Sequence, residues 1–306
     1  MPTLAVIPVK NEAPEAPAPE ATPRAGLPIG PAAVLLDRWR RDRFFRLGAV
    51  LVAVVVMAAA FAPWLAPHDP IHGDLRDAYL LHPSLHYLLG TDSEGRDVLS
   101  RVLYGARLSL AVGVISQAVA VTLGVLLGLV AGFYGRWVDA LIMRLADITL
   151  AFPTLLLLIA VAAAVRPSLP LVFVVIGVVG WAGMARIVRG QVLVLRGAEY
   201  VTAARALGAR DRRVLWRHLL PNVQAQVIIA ATLGAAGAIM AEAALSFVGL
   251  GAQPPTPSWG AMVADGRDLL RVAPWVSFAP GIAIGMAVLG FNLVGDALRE
   301  AFDPRL

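Results

Sequence analysis

The sequence predicts an all-α, polytopic membrane protein with six transmembrane helices. Of 306 residues, 58% are hydrophobic and only 15% charged, and the mean hydropathy is +0.72, outside the range of soluble domains. Six apolar runs, near 45–66, 106–132, 139–165, 169–188, 222–250 and 275–297, match the ~20 residues a helix needs to cross a hydrocarbon core. The basic residues segregate. If the chain crosses six times, 19 of the 26 Lys and Arg fall on the face that holds both termini and the segment 186–221, which places that face in the cytoplasm by the positive-inside rule.

Taken in order, residues 1–32 are rich in Pro, Ala and Glu without periodicity and read as a disordered cytoplasmic tail. Residues 33–66 join a basic cluster (Arg38, Arg40, Arg41, Arg43, Arg46) to the first span. Charge followed by an apolar run is also the order of a signal peptide, but this one lies too deep and runs too long, so a retained anchor is expected. The segment 67–105 is an extracytoplasmic loop with Asp69, Asp74, Asp77, Asp92, Glu94 and Asp97.

Residues 106–297 form a core of five further spans. The second span carries Gly124, Gly128 and Gly132 at four-residue spacing, a surface that admits the close approach of another helix, though Gly-rich membrane helices also show such spacing as background. Asp147, one turn after Arg144, is expected to pair with it. An outer turn at Pro167 and Pro170 joins the third and fourth spans, an outer loop 251–274 joins the fifth and sixth, and 298–306 is a cytoplasmic C-terminus.

Between the fourth and fifth spans lies "GAEYVTAARALGARDRRVLWRHLLPN" (197–222). The eight arginines of 186–221 would cost on the order of 20–28 kcal/mol inside a bilayer, so this insert lies outside it. Tyr200, Ala203, Ala204 and Leu207 share one helical face, with Thr202 and Arg205 turned elsewhere. Gly208 is placed to end that helix, and a second short helix, N-capped at Asp211, presents Val214, Leu215, His218 and Leu219 until Pro221 opens the fifth span. Both helices are too short to persist alone. Their apolar faces either fold back on the neighbouring spans or enter a cleft of a cytoplasmic partner.

The residues exclude several chemistries. With no cysteine there is no disulfide, thiolate metal site or thiol nucleophile. The single lysine, Lys10, lies in the tail, so no phosphate-binding P-loop is present. His68 and His72, and His82 and His86, have a metal-compatible spacing, but Pro70 and Pro83 interrupt it, and no metal site is expected. "DSEGRD" (92–97) lacks the spacing and terminal glutamate of a calcium loop. Glu242, inside the fifth span, reads as a structural or gating hydrogen bond, a substrate contact or a proton relay. A secondary transporter would show paired broken helices and more intramembrane ion ligands. An intramembrane enzyme would need a nucleophile and base within the spans.

Four stretches carry a resemblance: the insert, "HYLLGTDSEGRDVLSRVLYGARLSL" (86–110), "DITLAFP" (147–153) and "EAALSFVGLGAQPPTPSWGAMV" (242–263). In this order they resemble the C-type permeases of dipeptide, oligopeptide and nickel ABC importers, and the insert resembles the EAA loop of that family. The resemblance implies a type I ABC importer transmembrane domain, with a coupling segment in which Ala203, Ala204, Gly208, Leu220 and Pro221 match the core pattern. Thr202 stands where the general pattern has glutamate, Glu199 lies one turn earlier, and Arg205 falls within the same docking segment. It further implies a homologous second permease bound through glycine-rich faces as a heterodimer, two ATP-binding subunits, an extracytoplasmic solute-binding protein, and a bacterial or archaeal cytoplasmic membrane. ATP and Mg would be used by the partner ATPases, no cofactor or nucleic acid would be bound by this chain, and the chain itself would be non-catalytic.

Overall fold

The computed structural model describes residues 39–40, 42–164 and 168–302. The tail 1–32, Arg38, Arg41, Pro167 and residues 303–306 lie outside these. The described helices are α1 (Arg43–Leu65), α2 (Val98–Tyr134), α3 (Arg136–Ala151), α4 (Thr154–Ala163), α5 (Leu169–Leu195), α6 (Glu199–Ala206), α7 (Asp211–Phe247), α8 (Trp259–Asp265) and α9 (Trp275–Phe302). Five of them, α1, α2, α5, α7 and α9, are long and apolar enough to cross a membrane, and the pair α3–α4 makes a sixth if counted as one span.

Helix α1 starts at Asp42, whose carboxylate accepts from the Phe44 and Phe45 amides at 2.7 and 3.2 Å, the bonds expected of an N-cap. Helix α2 begins at Val98, not at 106. Asp97 caps it by accepting from the Ser100 amide at 2.8 Å, so the loop before it is shorter than hydropathy suggests. Arg101, Ala106 and Ser109 are already buried in the first turns, which is why a charged start still forms helix.

The third span is not one helix. It bends by 89° between α3 and α4. Pro153 supplies no amide proton and disfavours helical backbone at Phe152, which is extended (φ −88°, ψ 139°). Helix α4 has 10 residues, ~15 Å of rise against a ~30 Å core. Asp147 does not pair with Arg144; it accepts from Arg186 of α5. Asp139 is held in turn by Arg189 through Nε and Nη2. Packing of α3 along α5 brings these arginines closer than the one on Asp147's own helix.

The helices α2 and α5 run parallel in close contact. A Cβ on Gly124, Gly128 or Gly132 would lie 2.5 Å from Met184 Cβ, 2.6 Å from the Ala185 oxygen and 2.8 Å from Val192 Cβ, respectively. Further along, Gly177 of α5 meets the Ser116 oxygen at 2.6 Å in the same sense. These three glycines therefore serve packing within the chain. The close helix approach expected at these three positions is made by α5 of the same chain.

On the α8 face, the loop before α2 folds over the helix ends. The Trp275 indole donates to the Thr91 oxygen (3.1 Å) and the Trp259 indole to the Val102 oxygen (2.9 Å). Asp92, buried, accepts from the Arg96 guanidinium at 2.8 Å and lies 3.4 Å from that of Arg101. Burial pushes the Asp265 carboxyl at the end of α8 above its ordinary pKa, partly offset by Arg101 and Arg96.

Replacing Gly128 by valine should lower stability by about 1–3 kcal/mol, the usual cost of overpacking, whereas Gly183→Ala, with nothing within 4 Å of the added carbon, should not. Thermal unfolding of the purified protein in detergent distinguishes the two; equal midpoints for Gly128→Val and wild type would refute the packing role.

Candidate functional site: an elbow between two membrane helices

The insert is a helical elbow whose inner side is greasy and whose tip is bare. Helix α5 ends at Arg196, whose guanidinium donates to the Gly132 oxygen at 3.0 Å and ties the ends of α5 and α2 together. The chain turns through Gly197 and Ala198, and α6 follows with Glu199 in its first turn. Val201 is fully buried, in one cluster with Leu129, Phe133, Val188, Val192, Val214, Leu219 and Val223. The Arg205 guanidinium lies 4.9 Å from the Phe133 ring centre, within cation–π range. Thus α6, too short to stand alone, is held on the spans through Val201 and the Arg205 guanidinium.

Helix α6 ends in a Schellman motif. The Ala209 amide donates to the Ala204 oxygen at 3.0 Å and the Gly208 amide to the Arg205 oxygen at 2.9 Å. Gly208 has φ +81°, where a side chain is strained. Nothing lies within 4 Å of a Cβ placed there, so the glycine answers to backbone geometry and not to crowding by its own chain.

The second half of the elbow differs from expectation. Asp211 is not the N-cap; Arg210 is, with no side-chain cap bond, and Asp211 is the first helical residue. No separate short helix precedes the fifth span: α7 runs continuously through Pro221. The turn Val214–Leu219 is π-helical, the Leu220 amide reaches the Leu215 oxygen, and the Asn222 side chain donates to the His218 oxygen at 2.6 Å. Pro221 has no amide proton to give, and the wider turn plus Asn222 satisfy the local carbonyls without a break. Leu220 and Pro221 thus sit inside α7.

Of the face expected on α6, Tyr200 is 42% exposed and Leu207 89%. Ala203 is exposed and Ala204 half-buried. This face points away from the spans and does not fold back. The Thr202 hydroxyl donates to the Ala198 oxygen one turn earlier, at 3.3 Å. Val201, absent from the sequence-based face, is the anchor; its position three and four residues before Ala204 and Arg205 is the signal that could have found it.

At the opposite end of α7, Glu242 is buried. Its Oε1 accepts from Ser246 at 2.6 Å and from Ser258 at 2.8 Å. Ser258 caps α8 by accepting from the Ala261 amide at 3.4 Å, and Ser246 accepts from the Ala252 amide at 3.2 Å. The carboxyl therefore gathers α7, the loop after it and α8. Sequence reasoning found Glu242 but not its serines, which lie four and sixteen residues away. The two sequence-spaced histidine pairs of the α8-face loop do not come together: His72 sits on Asp69 at 2.8 Å, His82 against Trp275, and His68 beside His86 and Tyr87. Hydrogen bonds from His72 and from the Ile71 and His72 amides lower the exposed Asp69 carboxyl to about 2.

A bundle of membrane-length helices with an exposed helical elbow defines a multi-pass membrane protein, and comparisons define the lineage. Residues 124–306 match the family described as binding-protein-dependent transport system inner membrane component, and residues 31–83 match the N-terminal TM domain of oligopeptide transport permease C. The chain belongs to this family. It is 40% identical to the dipeptide transport system permease protein DppC of Alkalihalophilus pseudofirmus, over 98% of this chain and 97% of that one. It is 45% identical to the di/tripeptide transport system permease protein DppC of Pseudomonas aeruginosa (85% and 87% covered). To the glutathione transport system permease protein GsiD of Escherichia coli it is 42% identical (88% and 89% covered). The fold is therefore that of a type I ABC importer transmembrane domain.

Val201→Ala removes two buried carbons, about 1.6 kcal/mol at ~0.8 each, and should speed amide hydrogen exchange across 199–206. Leu207→Ala, at an exposed position, should leave exchange there unchanged. Equal protection in the two variants would remove Val201 as the anchor.

Proposed function

We propose that this chain is the permease subunit of an ATP-driven importer of short peptides or glutathione-like solutes. Its curated relatives are named for dipeptide, di/tripeptide and glutathione transport, which supports that cargo class. The elbow carries the reading. Anchored through Val201, it presents Tyr200, Ala203 and Leu207 outward as a small apolar knob, the shape of a part that seats in another protein's cleft. Glu199, Thr202, Ala204, Arg205 and the capping Gly208 frame that knob, and Leu220 and Pro221 lie within α7 beyond it.

On this reading the elbow faces the cytoplasm with both termini, and each elbow of a permease heterodimer docks in one of two ATP-binding subunits. Those partners bind ATP and Mg and hydrolyse the nucleotide; this chain, whose only lysine is Lys10, is the non-catalytic member. Closure of the nucleotide sites and movement of the spans are then two states biased by one contact. The loops of the α8 face receive the solute-binding protein, and Glu242 holds them to α7 as a structural or gating bond.

In vesicles containing the whole complex and its binding protein, solute import should require hydrolysable ATP; import driven by an ion gradient alone would reject the proposal. Gly208→Asp strains the left-handed cap and places a carboxylate where the partner would seat. It should leave insertion intact and cut import at least tenfold while ATP hydrolysis continues, and normal import by this variant would end the coupling assignment. A thiol introduced by Leu207→Cys should react with an impermeant reagent from the cytoplasmic side only.

A further inference from the structure

A groove of about 340 Å³ opens between α2, α4, α5 and α7, lined among others by Ser116, Gln117, Thr154, Gly183, Gly234 and Gly237, a volume within the roughly 300–1,000 Å³ of small-molecule sites. Gln117 lies midway along α2, Gly183 midway along α5 and Gly234 midway along the apolar part of α7, so the groove sits near half-depth of the bundle. None of its lining side chains is charged.

Two features there go unexplained by the chain's own packing. The Ser116 hydroxyl is buried with no hydrogen-bond partner. The Gln117 amide lies flat on the bare Gly234, where a Cβ would come within 2.4 Å of its oxygen; it too makes no hydrogen bond among the described residues. Polar groups in an apolar setting are costly unless paired. Moreover, Gly183 and Gly237 have nothing within 4 Å of an added Cβ, although glycine inside a helix costs about 1 kcal/mol relative to alanine. At Gly124, Gly128 and Gly132 a close neighbour explains the missing side chain; at these two, as at Gly190, Gly281 and Gly285 elsewhere, no neighbour does, and here the open space belongs to the groove.

We propose that this groove is one wall of the solute path, and that Gln117, with the exposed Thr154, hydrogen-bonds the amide groups of a short peptide in transit. The inference rests on the peptide-importer reading and deepens it. A helix of a second permease seated in the groove would bring amides already bonded within itself and leave Gln117 unpaired. An extended peptide brings free N–H and C=O groups. An uncharged lining reads the backbone and not the side-chain charge, and the bare glycines leave room for side chains of different size.

The test uses the complete transporter in proteoliposomes with its binding protein, and tritiated dialanine, trialanine and glutathione as probes. Gly237→Val, which fills the groove, and Gln117→Leu, which keeps volume but removes the amide, should each co-purify with the other subunits and import at least tenfold less of whichever probe the wild type carries. Because the chain has no cysteine, Gly237→Cys and Gln117→Cys each place a single thiol in this subunit. These thiols should react with a water-soluble methanethiosulfonate and be protected by the imported probe. Normal import by both Gly237→Val and Gln117→Leu overturns the inference alone, as do thiols that stay unreactive and crosslink to the partner permease. A wild-type complex that imports none of the three peptides under ATP overturns the peptide reading itself, and this inference with it.

Discussion

Helices α2 and α5 meet backbone to side chain along a parallel seam, and the positions of the remaining elements follow from it. In lipid, apolar side chains gain little by leaving their surroundings for one another, so close dispersion contact and hydrogen bonding must hold helices together. Gly124, Gly128 and Gly132 on one helix and Gly177 on the other supply that closeness. The seam is fixed at the elbow end by Arg196 on the Gly132 oxygen. Because Val188 and Val192 are brought against Leu129 and Phe133 there, a hydrophobic floor exists for Val201 to settle on.

The two faces of the bundle are held by different means. Near the elbow, an apolar cluster combines with the pairs Asp139–Arg189 and Asp147–Arg186, which lean α3 on α5. On the α8 face, buried polar groups dominate: Asp92 with Arg96 and Arg101, Asp97 capping α2, and Glu242 with two serines. Buried polar networks fix geometry because each lost partner leaves another group unsatisfied. The elbow therefore rests on contacts that tolerate small displacement, while the opposite loops rest on contacts that do not.

Much of this was legible in the sequence. Apolar length gave the spans, and the arginine-rich insert stood out because its charges could not be immersed. Gly208 was readable as a cap because only glycine takes that backbone cheaply. What escaped depended on neighbours distant in the chain. The partner of Asp147 lies on α5, and helix spacing alone points to Arg144. The glycine row announced a close approach without naming the helix that makes it. Pro153 lay within a run apolar enough to pass for one span, since hydropathy counts composition and is blind to a missing donor. Conversely, Pro221 and Asp211 suggested a boundary that the π turn and Asn222 bridge. Gln117 and Ser116 carry no motif; they become conspicuous only once three helices converge around them.

The absence of that boundary has a mechanical consequence. Helix α7 runs unbroken from Asp211 to Phe247, and the stretch from the foot of the elbow to the Glu242 carboxyl that clasps the opposite loops spans ~46 Å at 1.5 Å per residue. For a rigid helix of that length, a tilt of about 5° at one end would displace the other by about 4 Å. The wide turn at Val214–Leu219 lies at its elbow end, so a displacement of the elbow would have to pass through that turn before it reached the rest of the helix.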